Sequence, residues 1–310
     1  MIKALIGYSG LIGKNLSDQT YFKYKFNSKN IHKIKSKEYD LVVCAGAPGK
    51  MHLANKFPKN DKIKINKLIY NLKKVKTKKF VLISTIQVFK NLRAKNSETS
   101  KNFNKKITYG KNRRMLEIFC EKKFKNLTII RLPSVFGKFL KKNFIHDLFN
   151  PMPMMLNHQR FLKTIKKIPY KYKNIFKNFY RKKDNNYFLK KIIKNKAYNN
   201  IIKILNQNNL SASSFTNPNS SFQYYFLKNL WNDISYLLNK DIKVINFSCQ
   251  PLTAKNIYKK LKKKNMKSNN AIIYEANMVS KYSKYWNSRT NYLYNKKEII
   301  KQLLNFYKYY

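Results

Sequence analysis

Lys3-Ala-Leu-Ile-Gly-Tyr-Ser-Gly-Leu-Ile-Gly13 is the stretch from which the fold is read. Ala4 to Ile6 is a short apolar run of the kind that forms a buried parallel strand. Glycines follow at 7, 10 and 13, and Leu11-Ile12 opens a polar-apolar pattern that continues through Leu16 as a helix. Strand, glycine turn and helix together make a cradle for a dinucleotide. The first glycine allows the tight turn, the second lets backbone approach pyrophosphate, and the third lets the helix lie close on the strand. The free N–H groups of Leu11 and Ile12 and the helix dipole point at the phosphates. A three-glycine turn occurs without a ligand as well; its place between strand and helix is what gives it meaning.

Outward from this turn, the chain alternates strand and helix signals. Phe22 to Phe26 reads as a second strand, followed by Asn27-Ser28-Lys29, where an acidic side chain would grip the 2′-hydroxyl of an adenosine ribose. None is present. Asn27 can bond ribose instead, and Lys29 can meet a 2′-phosphate, a lean toward NADP. Asp40 to Cys44 is the third strand and runs into the small residues Ala45-Gly46-Ala47, against which a flat cofactor can lie. A helix over 63–75 precedes the fourth strand, Phe80 to Thr85, which ends in two hydroxyls. Tyr109 to about Lys123 is a helix, and Tyr109, Arg113 and Glu117 share one of its faces by their spacing of four. A phenol beside a cation and a strand-end hydroxyl is a proton-transfer constellation, in which the cation favours phenolate. Leu127 to Leu132 is the fifth strand.

Later segments are less regular. A loop and short helix over 138–150 carry Lys141, Lys142 and Asn143; residues 151–220 are rich in Lys, Tyr and Asn with helical patches. Phe222 to Phe226 reads as a strand returning to the sheet, with further helices over 227–238, 253–261 and 296–306 and a strand at 244–247. The expected architecture is α/β, a Rossmann-type doubly wound parallel sheet with a smaller mixed, mainly helical substrate lobe. Residues 1–150 form the dinucleotide-binding domain, 221–250 return to it, and 151–220 with 251–310 form the lobe.

The 310 residues carry 67 Lys and Arg against 13 Asp and Glu, a formal charge of +54. Such a chain attracts polyanions by counterion release. Lys far outnumbers Arg, however, and the lysines are scattered alongside an excess of Asn, Ile, Phe and Tyr. We read this as compositional bias, and no nucleic-acid-binding signature accompanies it. The three cysteines, Cys44, Cys120 and Cys249, lie in or at the ends of apolar or helical stretches and read as reduced thiols, with no metal set. No apolar run is long enough to span a bilayer. The first strand begins by residue 3, which leaves no room for a signal peptide. The expected location is the cytoplasm.

Taken together, the chain resembles an extended short-chain dehydrogenase/reductase of the NAD-dependent epimerase/dehydratase kind. The resemblance rests on Gly7-Tyr-Ser-Gly10-Leu-Ile-Gly13, Cys44-Ala-Gly-Ala47, Ile83-Ser-Thr85-Ile-Gln-Val-Phe89, Tyr109-Gly-Lys-Asn-Arg113 with Glu117, and Arg131-Leu-Pro-Ser-Val-Phe-Gly137. It implies NAD or NADP as cofactor, with Gly7, Gly10 and Gly13 cradling pyrophosphate and Ala45 and Gly46 lying along the cofactor. Tyr109 would be the general acid/base and Thr85 the catalytic hydroxyl. Pro133 and Ser134 would meet the nicotinamide end and the substrate. The implied substrate is a sugar, in nucleotide-activated form, whose diphosphate Lys141, Lys142 and Asn143 would hold; a homodimer is implied as well. Arg113 departs from the pattern, which has Lys there, and Ser134 stands where an asparagine is usual. Two other readings accompany this one: a dinucleotide-binding sensor or scaffold that has lost catalysis, motivated by Arg113, and a nucleic-acid-binding protein, motivated by charge alone.

Overall fold

A computed structural model describes residues 1–190 and 195–309. Its largest element is a six-stranded, wholly parallel sheet. Five strands follow in chain order: β1 (Lys3–Ile6), β2 (Tyr24–Phe26), β3 (Glu38–Cys44), β4 (Lys76–Thr85) and β5 (Leu127–Leu132). Strand Val244–Asn246 completes the sheet beyond β5, and the order across it is Val244–Asn246, β5, β4, β3, β1, β2. The chain therefore runs outward from β1 to β2, returns past β1 to β3, and continues in the opposite direction. This reversal opens a crevice at the carboxyl ends of β1 and β3, the place where open α/β sheets bind ligands.

Right-handed crossovers between parallel strands place helices on both faces. Helix α1 (Leu11–Gln19) joins β1 to β2; α2 (Met51–Lys56) and α3 (Pro58–Leu72) join β3 to β4; α4 (Thr108–Lys123) leads into β5. Alternate strand residues face alternate layers. Ala4, Ile6, Val42, Cys44, Phe80, Leu82, Leu127 and Ile129 pack in one buried core with Ile65, Leu68 and Leu72 of α3 and Leu116 and Cys120 of α4. Leu5, Val43, Val81 and Ile130, fully buried, face the other layer. On that side α1 packs against the helix Leu230–Leu237. Phe22 and Trp231 meet edge to face with ring centroids 5.7 Å apart.

Two compact units are present. The first comprises 1–140, 221–252 and 275–306; the second comprises 141–220, 253–274 and the last residues of the chain. The sequence reading had put all of 251–310 in the smaller lobe, whereas 275–306 stay with the sheet. The expected return of Phe222 to Phe226 to the main sheet is corrected: Tyr224–Phe226 pairs in parallel with β6 (Ser134–Phe136) in a separate two-stranded sheet. Pro133 explains the break, since it has no N–H to continue the ladder of β5.

In the second unit, Met155–Asn157, Asn186–Leu189 and Tyr180–Lys183 form an antiparallel sheet in that order. Helices His158–Lys167, Tyr170–Asn178 and Lys196–Gln207 accompany it. Phe161 stacks on Tyr187 at 3.6 Å, within a core that includes Phe176, Tyr180 and Ile201.

Candidate active site

Strand register decides which residues meet at the sheet's carboxyl edge. Ile6 pairs with Cys44, and Cys44 with Leu82. Thr85 pairs with Leu132. Gly7, Ala45-Gly46-Ala47, Thr85 and Pro133-Ser134 therefore emerge one after another along a single edge. Each follows directly from where its strand ends, so the same apolar runs that build the core also place the edge.

The glycine turn is closely built. Gly7 has φ +87°, and a Cβ there would lie 2.4 Å from the carbonyl oxygen of Ala45. A Cβ on Gly13 would lie 2.1 Å from the carbonyl oxygen of Gly7, so the third glycine is what lets α1 sit on the turn. Gly10 is different. Its φ of −80° and ψ of 173° suit any residue, and a Cβ there would meet only an ordinary contact, 3.4 Å from the Gly7 oxygen. The protein itself does not need glycine at 10; a ligand backed against the turn would. Gly10 caps α1 with no side-chain acceptor for the first amides, and it is exposed together with half-buried Leu11 and Ile12. Ala45, Gly46 and Ala47 are half-buried. The N–H groups of Gly7, Gly10 and Ala45 donate to the carbonyl oxygens of Phe26, Gly7 and Ile6, so it is the first-turn amides of α1, from Leu11 on, together with the small unhindered residues around them, that fit the pyrophosphate of a dinucleotide.

Beyond β2, Asn27 is held in place. Its amide donates to the Tyr8 hydroxyl at 3.1 Å, and its oxygen accepts from the backbone of Lys29 at 2.9 Å. One further donor and one further acceptor remain on its side chain for a ribose. Lys29 is exposed.

Thr85 is half-buried at the end of β4 and caps the turn Ile86–Val88, its hydroxyl accepting from Gln87 N at 3.2 Å. Helix α4 begins against that turn. A Cβ on Gly110 would stand 2.0 Å from the Gln87 carbonyl oxygen, so glycine at 110 sets how near Tyr109 comes to the Thr85 segment. The Tyr109 N–H donates to Asn55 Oδ1 on α2 at 3.0 Å. Thr85 and Tyr109 thus belong to one packed corner.

Arg113 is buried and engaged through both terminal nitrogens, while its Nε is buried with no hydrogen-bond partner. Its guanidinium forms a bidentate pair with Asp61 of α3, at 2.5 Å and 3.0 Å, and donates also to the carbonyl oxygens of Pro48 and Tyr109. Asn112 donates to the same Asp61 at 2.8 Å. The guanidinium carbon lies 3.9 Å from the centre of the Tyr109 ring. Sequence reasoning expected this cation to favour phenolate. It does so here, by its charge and by a side-chain hydrogen bond, but burial outweighs it and Asp61 adds to the burial, so the Tyr109 phenol stands above its ordinary pKa. Asp61 went unnoticed in the sequence because nothing in the spacing of α3 marks it; its position in the first turn of that helix is the sole signal.

Glu117, which shares a face with Tyr109 and Arg113, is wholly buried at the base of α4. It accepts from Ser84 at 2.5 Å, from Arg114 at 2.9 Å and from Arg131 at 3.0 and 2.7 Å. This network ties α4 to the ends of β4 and β5. Pro133 is buried and Ser134 half-buried as β6 begins. Lys141, Lys142 and Asn143 lie in the second unit. Both lysines are exposed, while Asn143 caps the helix Phe144–Phe149 by accepting from His146 N at 3.1 Å.

Among the described residues no cluster of His, Cys, Asp or Glu suits a metal ion, and no helix is long and apolar enough to cross a membrane.

No protein-family model matches the sequence, and no curated protein matches it. Solved structures do. A dTDP-4-dehydrorhamnose reductase from Bacillus anthracis, in complex with NADP, aligns with a TM-score of 0.62 at 14% identity, covering 100% of this chain and 99% of that one. A UDP-glucose 4-epimerase from Thermotoga maritima, with UDP-glucose, gives 0.62 at 12% identity, covering 100% and 98%. A Bordetella bronchiseptica enzyme in complex with NAD and UDP gives 0.60 at 12% identity, covering 99% and 94%. At these identities the likeness establishes the fold, an α/β Rossmann-type architecture over the length of the chain.

Proposed function

We propose that the protein is an NAD(P)-dependent enzyme of the extended short-chain dehydrogenase/reductase type, acting on a sugar in nucleotide-activated form as a reductase, epimerase or dehydratase. The observation that carries this reading is the single carboxyl edge at which the glycine turn, Ala45–Ala47, Thr85 and Pro133-Ser134 emerge, with the first turn of α4, next to Tyr109, close against the turn that follows Thr85. The neighbours in fold are sugar reductases and epimerases that bind NADP, NAD and UDP-sugars, which supports it.

In this reading, Gly7, Gly10 and Gly13 let the pyrophosphate approach the turn, the first-turn N–H groups of α1 at Leu11 and Ile12 hold it, and Asn27 meets the adenosine ribose. Ala45, Gly46 and Ala47 leave room for the cofactor to pass, and Pro133 and Ser134 flank its reactive end. When bound, the nicotinamide supplies or accepts hydride. Tyr109 exchanges a proton with the substrate oxygen, and the Thr85 hydroxyl bonds that same oxygen and holds it in line. Lys141, Lys142 and Asn143 are proposed to meet the substrate's diphosphate. A homodimer and a cytoplasmic location belong to the same proposal.

Tyr109→Phe tests it. The variant removes one hydroxyl and should bind reduced cofactor as the parent does, while turnover on a responsive nucleotide sugar falls by about 10²–10⁴-fold. Fluorescence titration reads the first quantity and oxidation of the reduced cofactor the second. Unchanged turnover removes Tyr109 from the chemistry. Tight cofactor binding by the parent, with no turnover across a panel of nucleotide sugars, favours the sensor reading that the engaged Arg113 also suits.

A further inference from the structure

The two units carry their charge differently. Among the described residues every ion pair of a Lys or Arg lies in the first unit, where exposed carboxylates such as Glu38 and Glu275 meet Lys76 and Arg93. The second unit has two acidic residues: Asp147, 3.5 Å from His146, and Asp184, in the turn between Tyr180–Lys183 and Asn186–Leu189. Between them, residues 148–183 hold ten Lys and Arg and no acid. Compositional bias supplies the lysines; the fold decides which are left without a counter-charge. Helix His158–Lys167 buries Phe161 in the unit's core, with Thr164 buried on the same side. Its other side exposes Lys163, Lys166 and Lys167, three and four residues apart and so neighbours on the helix, with Leu162 beside Lys166 at 44% exposure. Pro169 then turns the chain, and helix Tyr170–Asn178 opens with Tyr170, 90% exposed, and exposed Lys171. Like charges one turn apart weaken a helix by themselves, and an anion set against them relieves the repulsion.

We propose that this face is a docking surface for an anionic lipid bilayer: Lys163, Lys166, Lys167 and Lys171 meet headgroup phosphates, while Leu162 and Tyr170 enter the boundary between headgroups and acyl chains. Charge complementarity favours it. An ammonium is a point charge that suits a headgroup phosphate from any angle, whereas base reading favours the guanidinium fork. The two apolar groups favour lipid over nucleic acid. Tyrosine, with an apolar ring and a polar tip, belongs at headgroup level. An exposed leucine gains by leaving water for lipid, but it offers a nucleic acid neither stacking nor a hydrogen bond, and one tyrosine alone makes no stacking track. The helix's own apolar side is taken up by the core, so the contact is shallow and weakens with salt. This surface is independent of the cofactor and substrate readings above.

The test mixes the full chain, at physiological salt, with vesicles of phosphatidylcholine with and without phosphatidylglycerol, and reads the bound fraction by co-sedimentation. Binding should require phosphatidylglycerol. A lysine close to an anionic surface contributes about fivefold in affinity, so Lys163→Gln/Lys166→Gln/Lys167→Gln should bind about 10²-fold more weakly. Lys59→Gln/Lys64→Gln/Lys67→Gln takes the same charge from exposed positions on α3 in the first unit, and should lose less than about fivefold. Tyr170→Trp reports on the face directly: its emission should shift to shorter wavelength on phosphatidylglycerol vesicles, beyond any change shown by Trp231 and Trp286 in the parent. Equal losses in the two triple variants, or no added shift from position 170, overturn the assignment to this face. Absence of binding to phosphatidylglycerol vesicles, or equal binding to phosphatidylcholine alone, overturns the anionic bilayer as partner. Polyuridylate bound more tightly than the vesicles, with the same loss in the Lys163→Gln/Lys166→Gln/Lys167→Gln protein, gives the face to nucleic acid and overturns the lipid.

Discussion

Gly10→Ala and Gly13→Ala separate what the fold needs from what a ligand needs. The two glycines lie three residues apart in one turn, yet their surroundings differ. At Gly13 a methyl would stand 2.1 Å from the Gly7 oxygen and 2.6 Å from Tyr8 Cα, both backbone atoms that cannot swing aside. Inserting a methyl there forces the turn open, at a cost of about 1–3 kcal/mol for overpacking. At Gly10 the nearest atom is 3.4 Å away and the backbone is extended, so Ala fits. Its effect on the free protein is that of Gly to Ala at a helix N-cap, within about 1 kcal/mol. If pyrophosphate backs onto Gly10, the same methyl collides with it, and a comparable overpacking cost of ~1–3 kcal/mol becomes a loss of roughly 5–150-fold in dinucleotide affinity. Urea denaturation gives the stability of each variant and fluorescence titration the affinity for NADH and NADPH. The expected result is Gly13→Ala destabilised and Gly10→Ala stable but weak-binding. A Gly10→Ala protein that binds as tightly as the parent would refute the placement of pyrophosphate on this turn.

Glu117→Gln should be among the most damaging single changes outside the cofactor crevice. It leaves buried Arg131 without its anion, and breaking a buried pair in this way costs about 3–5 kcal/mol, read as a lower urea midpoint. The thiols should be inert in the folded protein: burial pushes Cys44 up to about 12 and raises Cys120 and Cys249 too. At about pH 8.5, where an ordinary thiol is half ionised, their reaction with a chromogenic disulfide should therefore await unfolding, and rapid labelling of the native protein would contradict the burial.

The apolar runs carried the sheet because parallel strands buried on both faces need such stretches, and the chain has them at Ala4–Ile6, Leu41–Cys44, Phe80–Ile83 and Ile129-Ile130. β5 is read to its residue limits because Leu127 and Leu132 bound its run, although Thr128 and Arg131 interrupt it. β4 begins four residues earlier than its apolar run, at Lys76, since β3 pairs with it through the exposed Lys76 and the half-buried Thr77. Where pairing is local and partly exposed, the pattern was blurred. The antiparallel strands Tyr180–Lys183 and Asn186–Leu189 hide behind Arg, Lys and Asn, residues that this composition places everywhere. Tyr224–Phe226 has the look of a core strand, fully buried Tyr224 and Tyr225 included, but apolar content does not name a partner, and its partner is β6.

The site divides along the same line. Residues at strand ends inherit their positions from the sheet, so Gly7, Ala45, Thr85 and Pro133 were legible as a set once the strands were. The state of Arg113 was not, because a cation's effect on a phenol depends on what else the cation touches. Asp61 lies 52 residues away in the chain and reaches Arg113 only because α3 and α4 lie side by side on one face of the sheet. That packing is set by Ile65, Leu68 and Leu72 of α3 against Leu116 and Cys120 of α4, an apolar arrangement with no mark of chemistry on it. A charge in the first turn of α3 is thereby delivered to the Tyr109 corner by the core itself. Substituting Arg for Lys in the pattern therefore changes more than one side chain. The flexible point charge of a lysine is replaced by a planar fork that a buried carboxylate can hold in one place. Arg113 and the unforeseen anion are two halves of one arrangement, and neither makes physical sense alone: Arg113 without Asp61 would be a bare buried cation, and Asp61 without Arg113 a bare buried anion.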